Sequence, residues 1–543
     1  MTIQVLLKHF DRLAEAPSGI PNLRDMILQL ATRGTLTPQD RGDEPASRLL
    51  HRIDSANARL RGAERPVFAA AAGSEGRSSP ATPKGWERQP LGRLVVLNYG
   101  KGVVKSEQRE GPVPVYGANG ILRYHDKALV DSPCIVVGRK GSAGALNRVY
   151  TPCWPSDVTY YVTPPEGIDF EYCYLMLRAS HLEELAKGIK PGLSRNEAYN
   201  VRALLPPLAE QKRIVAKVGE LMALCDDLEA KQQKKRVVRI TLNRACLRAV
   251  AQPNGKGLAT AWHRVRDHFD DLYCIPETVA ELRQTILQLA VMGRLVPQDP
   301  SDEPATGLLK KIRAEKERLI AAGVIRKTKP MPAIETGEPP FRLPKGWEWV
   351  RVGSVGQTQT GTTPKKSNPA FFGKGYPFVK PADVSLSGEI QFDGEELTED
   401  GIRNGRRIAA GSALMVCIGG SIGKVGFADR ECSCNQQINA VTPCGGIGGR
   451  FVAYVMRSTL IQEQVLSNAP TTTLPILSKS KWEKLLLPLP PLAEQERIVA
   501  RVDQLMAQCD ALESGLQRTE ANAEALFASV VRELVTAEQG AAR

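Results

Sequence analysis

The chain states its framework twice. LRDMILQLATRGTLTPQD (Leu23–Asp40) returns as LRQTILQLAVMGRLVPQD (Leu282–Asp299), 259 residues later. PKGWE at Pro83–Glu87 returns at Pro344–Glu348, an offset of 261, and PPLAEQKRIVAKVGELMALCDDLE (Pro206–Glu229) returns as PPLAEQERIVARVDQLMAQCDALE (Pro490–Glu513), an offset of 284. The stretches between PKGWE and PPLAEQ diverge. A frame kept in duplicate around two different inserts points to two modules of one fold, each reading something different.

At 543 residues the chain exceeds what one core supports. Its net charge of +13 favours a polyanionic partner, nucleic acid first, because basic groups displace the counterions condensed on phosphate. No apolar run is long enough for a membrane span, and the charged N-terminal stretch does not read as a signal peptide. Eleven cysteines without a pairing framework fit reduced thiols in a cytoplasm. Cys432 and Cys434 form a CxC, but zinc-type spacing is missing, so no metal is expected.

Each copy opens with an apolar-periodic helix, Leu23–Ile27–Leu30 and Leu282–Ile286–Leu289, that a glycine closes (Gly34, Gly293). A linker rich in Ala, Gly, Ser and Pro, or in Pro and charge, follows. The inserts contain short strand-like runs between Gly and Pro turns, such as CIVVG (Cys134–Gly138) and INAV (Ile438–Val441). GSAG (Gly141–Gly144) precedes GSIG (Gly420–Gly423) by 279, so the inserts share a skeleton and the second is longer. A long helix ends each copy. Its apolar positions alternate by four and three: Ile214, Val218, Leu221, Cys225, Leu228 in one, Ile498, Val502, Leu505, Cys509, Leu512 in the other. The first, from Pro207 to near Gln252, would be roughly 65 Å long. The two seams can pack on each other as an antiparallel pair, or separately on their own inserts. The fold class expected is α+β, a pseudo-two-fold internal repeat of two β-rich domains joined by two long helices in an antiparallel coiled coil.

Catalytic motifs fail on inspection. FFGKG (Phe371–Gly375) matches a methyl-donor loop and NPAF (Asn368–Phe371) approaches the NPPF of adenine methyltransferases, but they share Phe371. One loop cannot both cradle a cofactor and hold a flipped base. GGSIGKV (Gly419–Val425) lacks the first Gly and the final Ser or Thr of a phosphate loop. The inserts offer instead hydrogen-bonding and basic groups on Gly-rich loops. The first has Arg139, Lys140, Ser142, Lys190, Arg195 and Asn196. The second has Thr362, Lys365, Lys366, Lys374, Lys424, Asn435, Gln436, Gln437 and Thr472. Arg and Lys pair with guanine, Asn and Gln with adenine, and Lys with phosphate. Lys231, Lys234, Lys235 and Arg239 share one face of the first long helix, either as a solvated face or as phosphate contacts.

The duplicated blocks, with GTTPKKSNPAFFGKGYPFVKPADV at the start of the second insert, resemble the specificity (S) subunit of type I restriction–modification enzymes. The resemblance implies a helical region and linker at 1–85, a target-recognition domain at 86–205 and a long helix at 206–258. A second helical region and linker at 259–346, recognition domain at 347–489 and helix at 490–543 complete the pattern. It further implies that each domain reads half of a bipartite asymmetric DNA site, with the helix pair as the ruler for the spacer. The S subunit would dock two methyltransferase (M) and two restriction–translocase (R) subunits. S-adenosylmethionine, ATP and Mg would bind those partners and none would bind this chain. FFGKG would be a recognition-domain loop. A fused restriction–methylation enzyme, a DNA-binding repressor or scaffold acting alone, and the specificity component of another methyltransferase-based defence system are the competing readings. The first insert opens on NYGKGVVKSEQREG, unlike the second, so residue roles do not transfer loop by loop.

Overall fold

The computed structural model describes residues 10–541 apart from 12, 17, 62–81, 104–108, 187–191, 252–257, 328 and 470–474. Its contacts divide into two compact units, Met1–Lys235 with Thr519–Arg543, and Arg236–Arg518.

In the first unit, α1 (Gly19–Arg33) buries Leu23 and Ile27, and α2 (Ala46–Arg61) follows. Gly34 ends α1 at φ +75°, with its N–H donating to the Leu30 carbonyl. A Cβ there would lie 2.7 Å from the Pro83 ring and 3.0 Å from the Trp86 indole, so the turn admits only glycine. The insert is pinched at its neck by β1 (Glu87–Pro90) and β9 (Arg202–Leu205), antiparallel with Glu87 opposite Leu205. Within it, β2 (Asn98–Tyr99), β8 (Thr159–Val162), β5 (Cys134–Gly138) and β6 (Leu146–Val149) form one sheet in that order. A second sheet has the order β4 (Gly120–His125), β3 (Val113–Gly117), β7 (Trp154–Pro155), with β3 and β7 parallel. α3 (Phe170–Arg178) and α4 (Arg195–Asn200) come before β9, and α5 (Leu208–Ala251) is the first long helix.

The second unit repeats this plan. α6 (Pro276–Val291) and α7 (Ala305–Ala321) lead to a neck of β10 (Glu348–Arg351) and β18 (Leu486–Leu489), Glu348 opposite Leu489. β11 (Gly356–Thr360), β17 (Ile438–Pro443), β14 (Ser412–Val416) and β15 (Val425–Ala428) make the four-stranded sheet in the same relative order. β13 (Glu396–Leu397), β12 (Phe372–Val379) and β16 (Ser433–Cys434) make the three-stranded one, with β12 and β16 parallel. α8 (Gly449–Arg457) and α9 (Thr459–Asn468) precede β18, and α10 (Leu492–Ala541) is the second long helix.

The frame is locked by the same three contacts in both copies. Trp86 Nε1–H donates to Glu210 Oε2 at 2.8 Å, and Trp347 Nε1–H to Glu494 Oε2 at 2.9 Å. Arg213 pairs with Asp43, as Arg497 pairs with Asp302, each at 2.6 Å. Arg24 bridges Asp226 and Glu229, as Arg283 bridges Asp510 and Glu513. Burial pushes the Glu210 and Glu494 carboxyls above their usual range, and the indole N–H and nearby arginine pull them partway back.

Ile214, Val218, Leu221 and Cys225 join one core with Leu23, Ile27, Trp86 and sheet residues of their own unit, and Leu228 packs against it. Phe527, from the far part of α10, is buried in that core too. In the second unit Ile498, Val502 and Cys509 sit with Ile286, Trp347 and Cys246, the last from the far part of α5. Leu505 packs against this core and Leu512 is half-buried. The start of each helix therefore packs on its own frame and insert, and its far part enters the other core. Gly293→Ala, like Gly34→Ala, should cost about 2–4 kcal/mol through left-handed backbone strain plus the clash with Pro344 or Pro83. Urea titration should show a lower midpoint at unchanged slope.

Candidate nucleic-acid interface

In the first insert two loops distant in sequence come together. Lys140 bridges Gly192, and the Leu193 N–H donates to the Arg139 carbonyl at 2.9 Å. Tyr160 Oη–H then donates to the Leu193 carbonyl at 3.1 Å. Gly138 lets the chain turn back on itself, since a Cβ there would lie 2.0 Å from the Ser142 carbonyl oxygen. The result gathers Arg139 and Arg195 beside Tyr99, an exposed ring on edge strand β2, with exposed Lys140 next to Arg139 in the chain. Ser194 caps α4, and Asn196 and Ser142 are exposed nearby in sequence. Lys190 lies outside the described residues. Tyr99 is not distinguished in the sequence. Only the register of β2 against β8, Tyr99 opposite Tyr160, brings it to the basic loops.

In the second insert the Thr362 N–H donates to the Cys434 carbonyl, and Thr363 Oγ1–H to Gln436 Oε1 at 2.6 Å. Asn435 Nδ2–H donates to Gln437 Oε1 at 3.0 Å, while the Gln437 N–H donates to Asn435 Oδ1 at 3.1 Å. The Cys417 N–H donates to the Gln437 carbonyl, which ties the CNQQIN loop to the loop after β14. Thr362, Asn435, Gln436 and Gln437 are therefore one cluster, with exposed Lys365 and Lys366 on the same segment as Thr362. A cleft of about 530 Å³ beside β11 is lined by Gln357, Gln359, Thr360, Arg406 and Lys479. Lys374 is exposed on β12, and Lys424 is half-buried at the β14–β15 turn. Thr472 lies outside the described residues.

The motifs that imitate enzymes have structural roles. Asn368 Oδ1 accepts from the Ala370 N–H in a short turn, and Phe372–Gly375 run along β12, whose Gly375 N–H donates to Glu396. FFGKG is thus largely a strand, and not the loop the resemblance implies. Gly419–Val425 is the turn of the β14–β15 hairpin, with no helix after it to cradle a phosphate. Cys432 and Cys434 are buried in an apolar cluster. Among the described residues, no helix is long and apolar enough to cross a membrane.

On the first long helix Lys234 and Lys235 are exposed, Arg239 is half-buried, and Lys231 pairs with Asp227 at 2.6 Å.

A family model described as the type I restriction modification DNA specificity domain matches residues 83–238 and again 344–520. The specificity subunit of the type I restriction enzyme EcoAI from Escherichia coli is 30% identical over 534 residues, 91% of this chain and 90% of that one. The EcoEI specificity subunit, also from Escherichia coli, is 33% identical over 373 residues, 62% of each chain. The crystal structure of the HsdS subunit from Thermoanaerobacter tengcongensis superposes with a TM-score of 0.37 at 19% identity, over 84% of this chain and 98% of that one. With the family model falling once on each repeat and a relative aligned over nine-tenths of both chains, this protein belongs to the family of type I restriction–modification DNA-specificity subunits.

Proposed function

We propose that the chain is the sequence-reading subunit of a type I restriction–modification complex, acting in the cytoplasm on double-stranded DNA. Each insert reads one half of a bipartite site by groups presented on its loops. The duplicated frame gives two equivalent docking surfaces, one for each of two methyltransferase subunits, and restriction–translocase subunits join that assembly. The chain itself performs no chemistry. S-adenosylmethionine, ATP and Mg belong to the partners.

One observation supports this most. Two inserts of the same strand order, held by identical frame contacts, carry different side chains on corresponding loops. A DNA-binding repressor needs no such duplicated frame. Coexpression with a methyltransferase chain should give a complex of two M to one S that protects two short tracts separated by an unprotected spacer. A chain that purifies alone and protects one continuous tract would contradict the proposal. Changing Lys234, Lys235 and Arg239 to Gln should reduce the salt slope of DNA binding by about 2–3 without changing the sequence preferred. An unchanged slope would make that face merely solvated.

A further inference from the structure

Backbone hydrogen bonds align the two inserts more finely than sequence offsets do. The Arg139 N–H donates to the Val158 carbonyl and its carbonyl accepts from Leu193. The Cys417 N–H donates to the Gln437 carbonyl and its carbonyl accepts from Leu477. Lys140 bridges Gly192 as Ile418 bridges Ile476. Arg139 therefore corresponds to Cys417, although the 279-residue offset of GSAG and GSIG would set it against Ile418. By strand register Tyr99 and Tyr160 correspond to Thr360 and Asn439.

The chemistry at this shared position is opposite in the two inserts. In the second, Cys417 is buried and Asn439 is hydrogen-bonded to both Cys417 and Thr360. In the first, Arg139 is half-buried and its guanidinium is seated on rings, Cζ 5.1 Å from the Tyr99 centroid and 5.9 Å from that of Tyr160. Arg195 lies 4.8 Å from the same Tyr99 centroid. Tyr99 in turn packs on Tyr160 at 5.0 Å, and Tyr160 is buried and hydrogen-bonded. Stacking fixes the plane of a guanidinium while leaving its edge donors directed outward. A planar pair of donors held in advance matches the O6 and N7 acceptors of guanine in the major groove.

We propose that Arg139 reads a guanine in the half-site of the first insert, with Tyr99 as its positioning residue, and that the second insert has no guanine reader at this position. This rests on the DNA-reading function proposed above. The test uses the complex with its methyltransferase subunits, in a host free of that methylation, and maps the methylated sequence. Arg139→Lys and Tyr99→Leu should each let other bases replace one guanine in one half, by about 10-fold or more, and leave the other half unchanged. A motif unchanged in both halves, or uniformly weakened methylation with the motif intact, would overturn the proposal; the latter marks a phosphate contact. Should a variant methylate nothing, the wild-type complex supplies the answer through duplexes carrying 7-deazaguanine at each guanine in turn. One position in that half should weaken binding by about 10- to 100-fold, and indifference at every position would overturn the proposal. A wild-type complex that methylates no bipartite sequence contradicts the function itself, whereas a bipartite sequence indifferent to Arg139 contradicts only this inference.

Discussion

Trp347→Phe should destabilise the second unit by about 2–3 kcal/mol, and Trp86→Phe the first by a similar amount. An aromatic ring stays, but the indole N–H is lost and the smaller phenyl leaves part of the buried indole's space empty. Glu494 and Glu210 are almost wholly buried, and one oxygen of each already has no partner. Removing the indole donor strands the other oxygen of Glu210 and leaves Glu494 only its Gln298 hydrogen bond. Trp→Ala adds a cavity and should raise the cost to about 4–6 kcal/mol. The pH dependence has a definite sign. Each carboxyl has a folded pKa raised above its ordinary 4.5, so the fold prefers it protonated, and stability falls as pH rises from 4.5 through the folded value. Loss of the indole raises that folded value further. The deficit of Trp→Phe relative to wild type should therefore be smaller at about pH 4, where only the packing loss remains, than at about pH 8, as read by urea unfolding at both. A deficit that shrinks with pH would mean that Trp does not stabilise an ionised carboxyl.

Much of this frame was legible in the sequence, because it is written twice. Gly34 and Gly293, the PKGWE blocks and the long-helix starts fall where the repeated blocks predict, and CIVVG and INAV lie in strands. The seam of the long helices was half-legible. A four–three spacing shows an apolar stripe but not what covers it, and the frame helix covers the first turns of each stripe. The basic loops of the inserts were least legible. Arg139 and Arg195 stand out by charge, but Tyr99 comes to them through strand register. One extra residue in the loop after β14 also shifts the apparent counterpart of Arg139 from Cys417 to Ile418. Sequence offsets cannot see that shift, because it is set by which carbonyl each N–H finds.

Exchange of Trp86–Leu205 for the corresponding insert of another specificity subunit should replace one half of the target and nothing else. The neck is what permits this. Glu87 and Leu205 are paired neighbours, so the insert leaves and rejoins the frame at one place, and a related insert that brings its own Trp at position 86 and an apolar face for α5 can take its place. The second insert rejoins through Glu348 and Leu489 in the same way. The effect on specificity should be complete at that half, since a single mismatched base pair costs about 1–3 kcal/mol and a half-site contains several.

The most direct measurement is a genome-wide map of methylated adenines for the complex before and after that exchange. Two readers on one duplicated frame predict a bipartite sequence in which one half changes while the other half and the spacer length stay the same. A single continuous sequence, or an exchange that alters both halves together, would contradict it.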